Sequence, residues 1–304
     1  MSWAEGDKKR QKKLDRQWRL IRLAACLFRL LPHRWALKLG AGLGWCYWAV
    51  SKKRVDNAEV RCCAVLCLGP TEGRRIVRES LKNTGRALAE MLRLDHIARF
   101  RNRYLQVHGI ENLEAALAEG RGVLLLMAHI DNWEMVNVAM AGRYPLHAIA
   151  APQRDPRVTE MITELRAKIG AIAVNKGNSL KAALQCLDRG EVLAVLLDQD
   201  AKDAGLKVPF LGVEASTPPA LIKLAMKRGV PVIPAFPFRR GRSAEHDLYL
   251  LPPLDLGDDL TQAVTRCNDI ISDAIVRCPE GWLLWTYPRW GRPEPEAWNH
   301  DLVH

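Results

Sequence analysis

The sequence predicts an α/β protein, with a mixed, mostly parallel sheet flanked by helices and an N-terminal amphipathic or membrane-associated helical segment before it. Three observations carry this expectation. Short, almost continuous apolar runs follow glycines, as in GRGVLLLMAH ending at His129, EVLAVLL ending at Leu197 and VPVIPAF ending at Phe236, and their length favours buried strands over helices. Segments with helix start and stop signals stand between these runs. Upstream of about residue 105 the apolar residues recur at helical spacing instead.

At 304 residues, with 48% hydrophobic and 26% charged side chains, the chain is large enough for one substantial core, or for a catalytic domain with a helical appendage. Its first element is basic: KKRQKKLDRQWR covers 8–19. In the apolar segment that follows, Leu20, Leu23, Leu27 and Leu30 or Leu31 fall on one helical face, while Arg22 and Arg29 interrupt the run an export signal would need. The uncharged stretch from Leu39 to Val50 has twelve residues, whereas spanning a bilayer takes roughly 20. Trp35, Trp45, Tyr47 and Trp48 suit a membrane interface, and Arg22, Arg29, Arg34 and Lys38 can meet anionic headgroups. A shallow or single-pass membrane helix is expected, against the competing reading of a basic helical hairpin packed on the core. Thr71–Leu94 reads as a helix joining this region to the sheet.

Within the core, a strand is expected to end at His129 and another to run from His147 to Ala151. Pro156 opens a helix through Lys168, closed near Gly170. A further helix over Ser179–Asp188 leads through Gly190 into EVLAVLL, which delivers Asp198, Gln199 and Asp200 to its carboxyl end. ThrProPro at 217–219 opens the helix ALIKLAMKRG, and VPVIPAF follows as a strand. Loops at the carboxyl ends of such strands line reaction crevices, so His129 and the 198–200 cluster are expected to converge.

The net charge of +11, with a pI near 9.4, favours polyanionic partners, whether nucleic acid, anionic bilayer or acidic carrier protein. No zinc-finger spacing occurs, and the ten tryptophans are scattered without the pattern of a base-stacking sheet, which argues against nucleic acid. Eight cysteines form no paired CxxC knuckles, so a reduced compartment is expected and no metal role.

The sharpest chemical signal is HIDNWE, with His129 and Glu134 five residues apart. On one continuous helix that spacing turns about 140° past a full turn, but a histidine ending a strand and a glutamate opening the next helix can meet. Neutral His129 would then act as general base toward a hydroxyl, with Glu134 fixing its tautomer. Asp131 is the alternative acid, and a locally satisfied strand-end histidine is the plain structural reading.

GRGVLLLMAHIDNWE, LRAKIG, LLDQDAKDAGLKVPFLG, TPPALIKLAMKRGVPVIPAF and WTYPRWGRPEPEAW together resemble the bacterial lipid A late acyltransferase family, lauroyl and myristoyl transferases within the lysophospholipid and glycerolipid acyltransferase-like group. The resemblance extends from about Leu20 to Trp298. It implies transfer of a fatty acyl chain from acyl carrier protein to a hydroxyl of a lipid A precursor, at the cytoplasmic face of a bacterial inner membrane, by a His/Glu mechanism without an acyl-enzyme and without a cofactor. Carried onto this sequence, His129 is the base, Glu134 its partner, Arg166 an oxyanion or phosphate contact, and Asp200 the acid that orients Arg166, with Asp198 its rival. Arg154, Asn132, Phe210 and Arg289 are expected to contact substrate. In VPFLG, Phe210 and Leu211 would meet acyl methylenes, each worth roughly 0.8 kcal/mol, or equally pack in the core, and Trp282, Trp285 and Trp290 with Arg289 and Arg292 would line a lipid entrance or, almost as well, a core edge. The implied organisation is a basic tail over 1–19, a membrane-proximal helical region over 20–104 and an acyltransferase domain over 105–304. Ile130 and Asp131 stand where the family often has an aromatic residue and glycine, TYPRWG departs from its arginine-rich tryptophan motif, and RCCAVLCLGP matches its acidic-proline region poorly. These departures bear on the acceptor more than on the chemistry. A lysophospholipid or other amphiphilic acceptor, and a non-catalytic lipid-binding protein of the same fold, are the alternatives.

Overall fold

The computed structural model describes residues 3–140, 142–150, 153–175 and 179–291. Six helices come first, α1 (Trp3–Leu30), α2 (His33–Val50), α3 (Lys52–Leu66), α4 (Pro70–Met91), α5 (Leu94–Arg99) and α6 (Arg101–Tyr104). Strand β1 (Leu105–His108) and helix α7 (Ile110–Ala118) lead into β2 (Val123–Met127), α8 (Glu134–Met140), β3 (Leu146–Ala150), α9 (Pro156–Ala167) and β4 (Ala171–Asn175). Then follow α10 (Ser179–Asp188), β5 (Val192–Leu196), the hairpin β6 (Leu206–Phe210) with β7 (Val213–Thr217), α11 (Ala220–Arg228), β8 (Val232–Arg239), β9 (His246–Leu250) and α12 (Leu260–Arg277).

The main sheet has seven strands in the order β1-β9-β8-β2-β5-β3-β4. Strands β8, β2, β5, β3 and β4 are mutually parallel. Strand β9 turns back antiparallel to β8, and β1 runs with β9. Helices cover both faces, which explains why β2 is apolar at every position and not at alternate ones. Leu124 and Leu126 enter a core shared with α3, α4, α11 and α12, whereas Val123, Leu125 and Met127 enter another with α7 and α8. The expected α/β sheet is therefore present, with its β2, β3, β5 and β8 strands within a few residues of where the sequence places them.

The N-terminal segment is helical, and α2 packs along α4. Side chains built at Gly40, Gly44 or Gly85 would run into backbone carbonyls of the opposite helix, so these glycines allow the two backbones to touch. Arg93 fastens the end of α1 by donating to the carbonyls of Phe28, Arg29 and Leu31 at 2.5, 2.9 and 2.8 Å, and Arg29 pairs with Asp95 at 2.6 Å. Among the described residues no helix is long and apolar enough to cross a membrane. The single-pass expectation thus has no such helix behind it: arginines interrupt α1, and α2 has one face committed to α4. What remains outward is a row of leucines on α1, Leu20, Leu23, Leu27 and Leu30, with Trp35, Leu43 and Trp45 on α2.

Candidate active site

The pairing of β2 with β5 sets the centre of the site. Met127 lies opposite Leu196, and one residue on, the Leu197 amide donates to the Met127 carbonyl at 3.1 Å. Two residues past each strand end, His129 and Asp198 therefore face one another. Asp198 Oδ1 lies 2.8 Å from His129 Nδ1, and its Oδ2 accepts from the His129 amide, also at 2.8 Å. Trp282 Nε1 donates to the same Oδ2 at 2.9 Å. Burial alone would raise the pKa of Asp198, but the His129 ring, its amide and the Trp282 indole hold it below the ordinary aspartate value. An ionised carboxylate only accepts, so Nδ1 carries a proton, and in the neutral ring Nε2 holds the lone pair. Nothing among the described residues bonds to Nε2. The ring is partly exposed and stands edge-on to Trp133, with centroids 4.7 Å apart.

The carboxylate expected on His129 is elsewhere. Glu134 opens α8 and is fully buried, where its Oε1 accepts from Arg166 Nη2 at 2.5 Å and its Oε2 from Arg166 Nε at 3.1 Å and Asn137 Nδ2 at 2.6 Å. The helical start turns its side chain toward α9, so the partner of His129 is Asp198 and not Glu134. Arg166 is accordingly bound to Glu134 and not oriented by Asp200, whose Oδ1 accepts from the Lys202 amide at 2.9 Å. Burial lowers the pKa of Arg166, yet the Glu134 charge and hydrogen bonds more than offset this and raise it.

Asn132 is buried and structural in its contacts: its Oδ1 accepts from the Glu134 amide at 3.1 Å, and its Nδ2 donates to Glu90 at 2.9 Å. Glu90, on α4, in turn takes both Nη groups of Arg239 at 2.7 and 2.6 Å. Asp131, the alternative acid, adopts a left-handed backbone with φ of 44°, and its Oδ2 accepts from the Arg239 amide at 2.9 Å. It braces the end of β8 and does not reach the imidazole. The expectation that Asn132 contacts substrate thus gives way to a loop held from α4 and β8.

A second clamp comes from the C-terminal segment. Ile130 bridges Trp282, the Leu283 amide donates to the His129 carbonyl at 2.9 Å, and the Asp131 amide donates to the Gly281 carbonyl at 2.7 Å. Ser80 Oγ and Asn83 Nδ2 on α4 hold that segment through the carbonyls of Trp282 and Glu280, at 2.6 and 2.9 Å. Trp282, Trp285, Trp290 and Phe210 form one aromatic cluster with ring centroids 4.7–6.1 Å apart. The core-edge reading of these tryptophans holds, and Phe210, 1% exposed, is core and not a cleft wall. Arg289 is also buried: it donates to Ser216 O and Thr217 Oγ1, both at 2.7 Å, and lies over the Phe210 ring. Its expected substrate contact is replaced by this anchoring of the β6–β7 hairpin, and burial lowers its pKa to about 10. Arg292 lies outside the described residues. Arg154 is exposed, beyond the carboxyl end of β3, and with Arg10, Lys13 and Leu14 of α1 it lines a cleft of about 900 Å³.

Sequence spacing could not single out Asp198 from Asp200, because choosing between them requires the strand register. It placed Trp282 at a lipid entrance or core edge but missed its bond to Asp198, which spans 84 positions. At the opposite edge of the sheet, His147, Cys186 and Glu191 lie close enough to share a metal ion. There Glu191 already accepts from His147 and Arg189, each at 2.7 Å.

The family model described as bacterial lipid A biosynthesis acyltransferase matches residues 7–292. The chain is 27% identical over 180 residues to a lipid A biosynthesis acyltransferase of Haemophilus influenzae, covering 58% of this chain and 57% of that protein. It is 26% identical over 220 residues to a phosphatidylinositol mannoside acyltransferase of Mycobacterium tuberculosis, 69% of each. It is 25% identical over 273 residues to the lipid A biosynthesis lauroyltransferase of Escherichia coli, 87% of this chain and 88% of that one.

Proposed function

The chain belongs to the bacterial lipid A biosynthesis acyltransferase family, and from that premise we propose that it transfers a fatty acyl chain from acyl carrier protein to a hydroxyl of a lipid A precursor, with His129 as general base and Asp198 as its carboxylate. The observation that carries this reading is the 2.8 Å contact between His129 Nδ1 and Asp198 Oδ1, which leaves Nε2 as the basic nitrogen at the carboxyl edge of the sheet. As the acceptor oxygen attacks the thioester carbonyl, its proton passes to Nε2, and the ionised Asp198 stabilises the imidazolium that forms. Collapse of the tetrahedral intermediate breaks the carbon–sulfur bond, and the departing thiolate takes the proton back from Nε2. Glu134 and Arg166 support this as positioning residues, holding α8 to α9 behind the loop. Arg154, exposed beside the cleft under α1, is the proposed phosphate contact of the acceptor. The enzyme works at the cytoplasmic face of the inner membrane, held there peripherally by the leucine row of α1 and its flanking arginines.

His129→Ala is expected to lower transfer by about 10²–10⁴-fold, read as product mass from a mixed acyl-carrier pool and membrane lipids, with circular dichroism unchanged. Near-normal turnover by the folded variant would reject the base. Because the relatives include phosphatidylinositol mannoside acyltransferases, a mannosylated phosphoinositide and a lysophospholipid belong in the acceptor panel. Saturable lipid binding with no acyl product across it would favour a non-catalytic lipid-binding protein.

A further inference from the structure

A groove of about 1170 Å³ lies between α2, α4, the α5–α6 corner and the β8–β9 turn, and its lining includes no residue of the 129–134 loop. Six cationic side chains border it: Arg34, Lys38, Lys82, Arg86, Arg103 and Arg242. Among the described residues three carboxylates oppose them, the charge of Asp131 reaching Arg86. Glu79 accepts from Lys82 at 2.7 Å and lies 3.7 Å from Arg242, and Glu245, on the rim, is 3.8 Å from Arg240. Arg34 has no anionic partner among the described residues, and Arg86 donates only to the neutral Asn83. Burial, followed by the neighbouring charge of Arg239, lowers the pKa of Arg86.

Into this groove faces His33, 8% exposed, with neither ring nitrogen bonded to any group. An imidazole buried this deeply is normally satisfied. His33 is pressed against the rings of Tyr104 and His96, with centroids 4.8 and 5.7 Å away. The groups whose charges reach it are Glu90, Arg93, His96 and Arg239, and burial first of all holds its pKa down at about 4. Clustered cations crowd one another at a cost, and a tetrahedral oxyanion bearing several acceptors relieves that crowding beside the His33 ring. Trp35 and Trp45, both largely exposed on α2, stand at the mouth, where indole rings suit the apolar part of an amphiphile.

We infer that the groove between α2, α4 and the β8–β9 turn is a phosphate-ester site, separate from His129, that takes the phosphate of an amphiphilic headgroup. Binding there does not require acyl transfer by His129. Its use in orienting the acceptor does rest on the proposed activity.

The test follows the His33 ring resonances of the full chain, assigned with His33→Asn, by nuclear magnetic resonance. The protein is titrated with inorganic phosphate, dihexanoyl phosphatidic acid below its micelle concentration and dihexanoyl phosphatidylcholine. Saturable shifts of His33 with the first two ligands, lost at least tenfold in affinity in Arg34→Gln/Lys38→Gln/Arg242→Gln, are expected. A control that removes three exposed charges outside the groove and away from α1, Lys207→Gln/Lys223→Gln/Lys227→Gln, should bind as the parent does. Tighter binding of phosphatidic acid than of phosphate assigns the lipid as the source, and equal binding assigns free phosphate. Equal loss in both triple variants, no saturation, or a response only to an acidic carrier protein overturns the site. The two failures are distinguishable: His129→Ala retaining phosphate binding leaves the groove standing whatever happens to transfer.

Discussion

His129 and Asp198 meet because each lies two residues past the end of a neighbouring parallel strand, whereas Glu134 faces the guanidinium of Arg166. The two acids should therefore respond differently to the same chemical change. With His129 as the proposed base, Asp198→Asn would remove the charge that stabilises its imidazolium and permit the wrong tautomer, and transfer should fall by about 10²–10⁴-fold with the melting temperature little altered. Glu134→Gln leaves Arg166 buried without its counter-ion, at a cost of about 3 kcal/mol, so the main loss should appear in the unfolding midpoint. If Glu134→Gln folded with parental stability and lost turnover as Asp198→Asn does, the assignment would have to be reversed. The sequence made His129 legible as the end of an apolar run before a polar turn. It could not choose its acid, since Glu134 is near along the chain while Asp198 is near only across the sheet.

The elements differ in how far they could be read from composition. Strands β2 and β5 are covered on both faces and show as unbroken apolar runs, and α9 and α11 are marked by proline at their starts. Strands β1 and β9, half covered and partly polar, lack that signature, and the β6–β7 hairpin was hidden because VPFLG reads equally as a cleft wall. At α2 and α4 the packing depends on absent side chains. Gly85→Val should force the helices apart and cost about 1–3 kcal/mol or more, seen as a lower denaturation midpoint. Gly42→Ala, on the open side of α2 where an added Cβ meets nothing within 4 Å, should instead be neutral or stabilising by up to about 1 kcal/mol. Equal effects of the two would mean that close backbone approach is not what joins these helices.

For the molecule as a whole, acid and salt act on different parts. His33 and His246 are buried neutral, and burial lowers their pKa values to about 4 and about 3. Between pH 6.5 and 4 the unfolded chain binds more protons than the folded one, so stability is fully present above pH 6.5 and is lost as the pH falls toward 4. For His33 that separation corresponds to about 3 kcal/mol, and urea midpoints measured at pH 7 and pH 5 should show a smaller drop in His33→Asn. A drop of the same size in that variant would remove His33 from the account. On anionic vesicles, Arg16→Gln/Arg19→Gln/Arg22→Gln should weaken partition by about 3 kcal/mol, roughly 100-fold, and 0.5 M salt, where the screening length is well under 10 Å, should have a similar effect. Retention unchanged by either would place the attachment in the leucine row alone. The clamp of residues 281–283 on the His129 loop also imposes an order on biogenesis. A polypeptide still emerging from the ribosome has made the histidine and the aspartate long before the indole that secures them, so a nascent chain stalled ahead of Gly281 should remain catalytically silent even with its sheet complete.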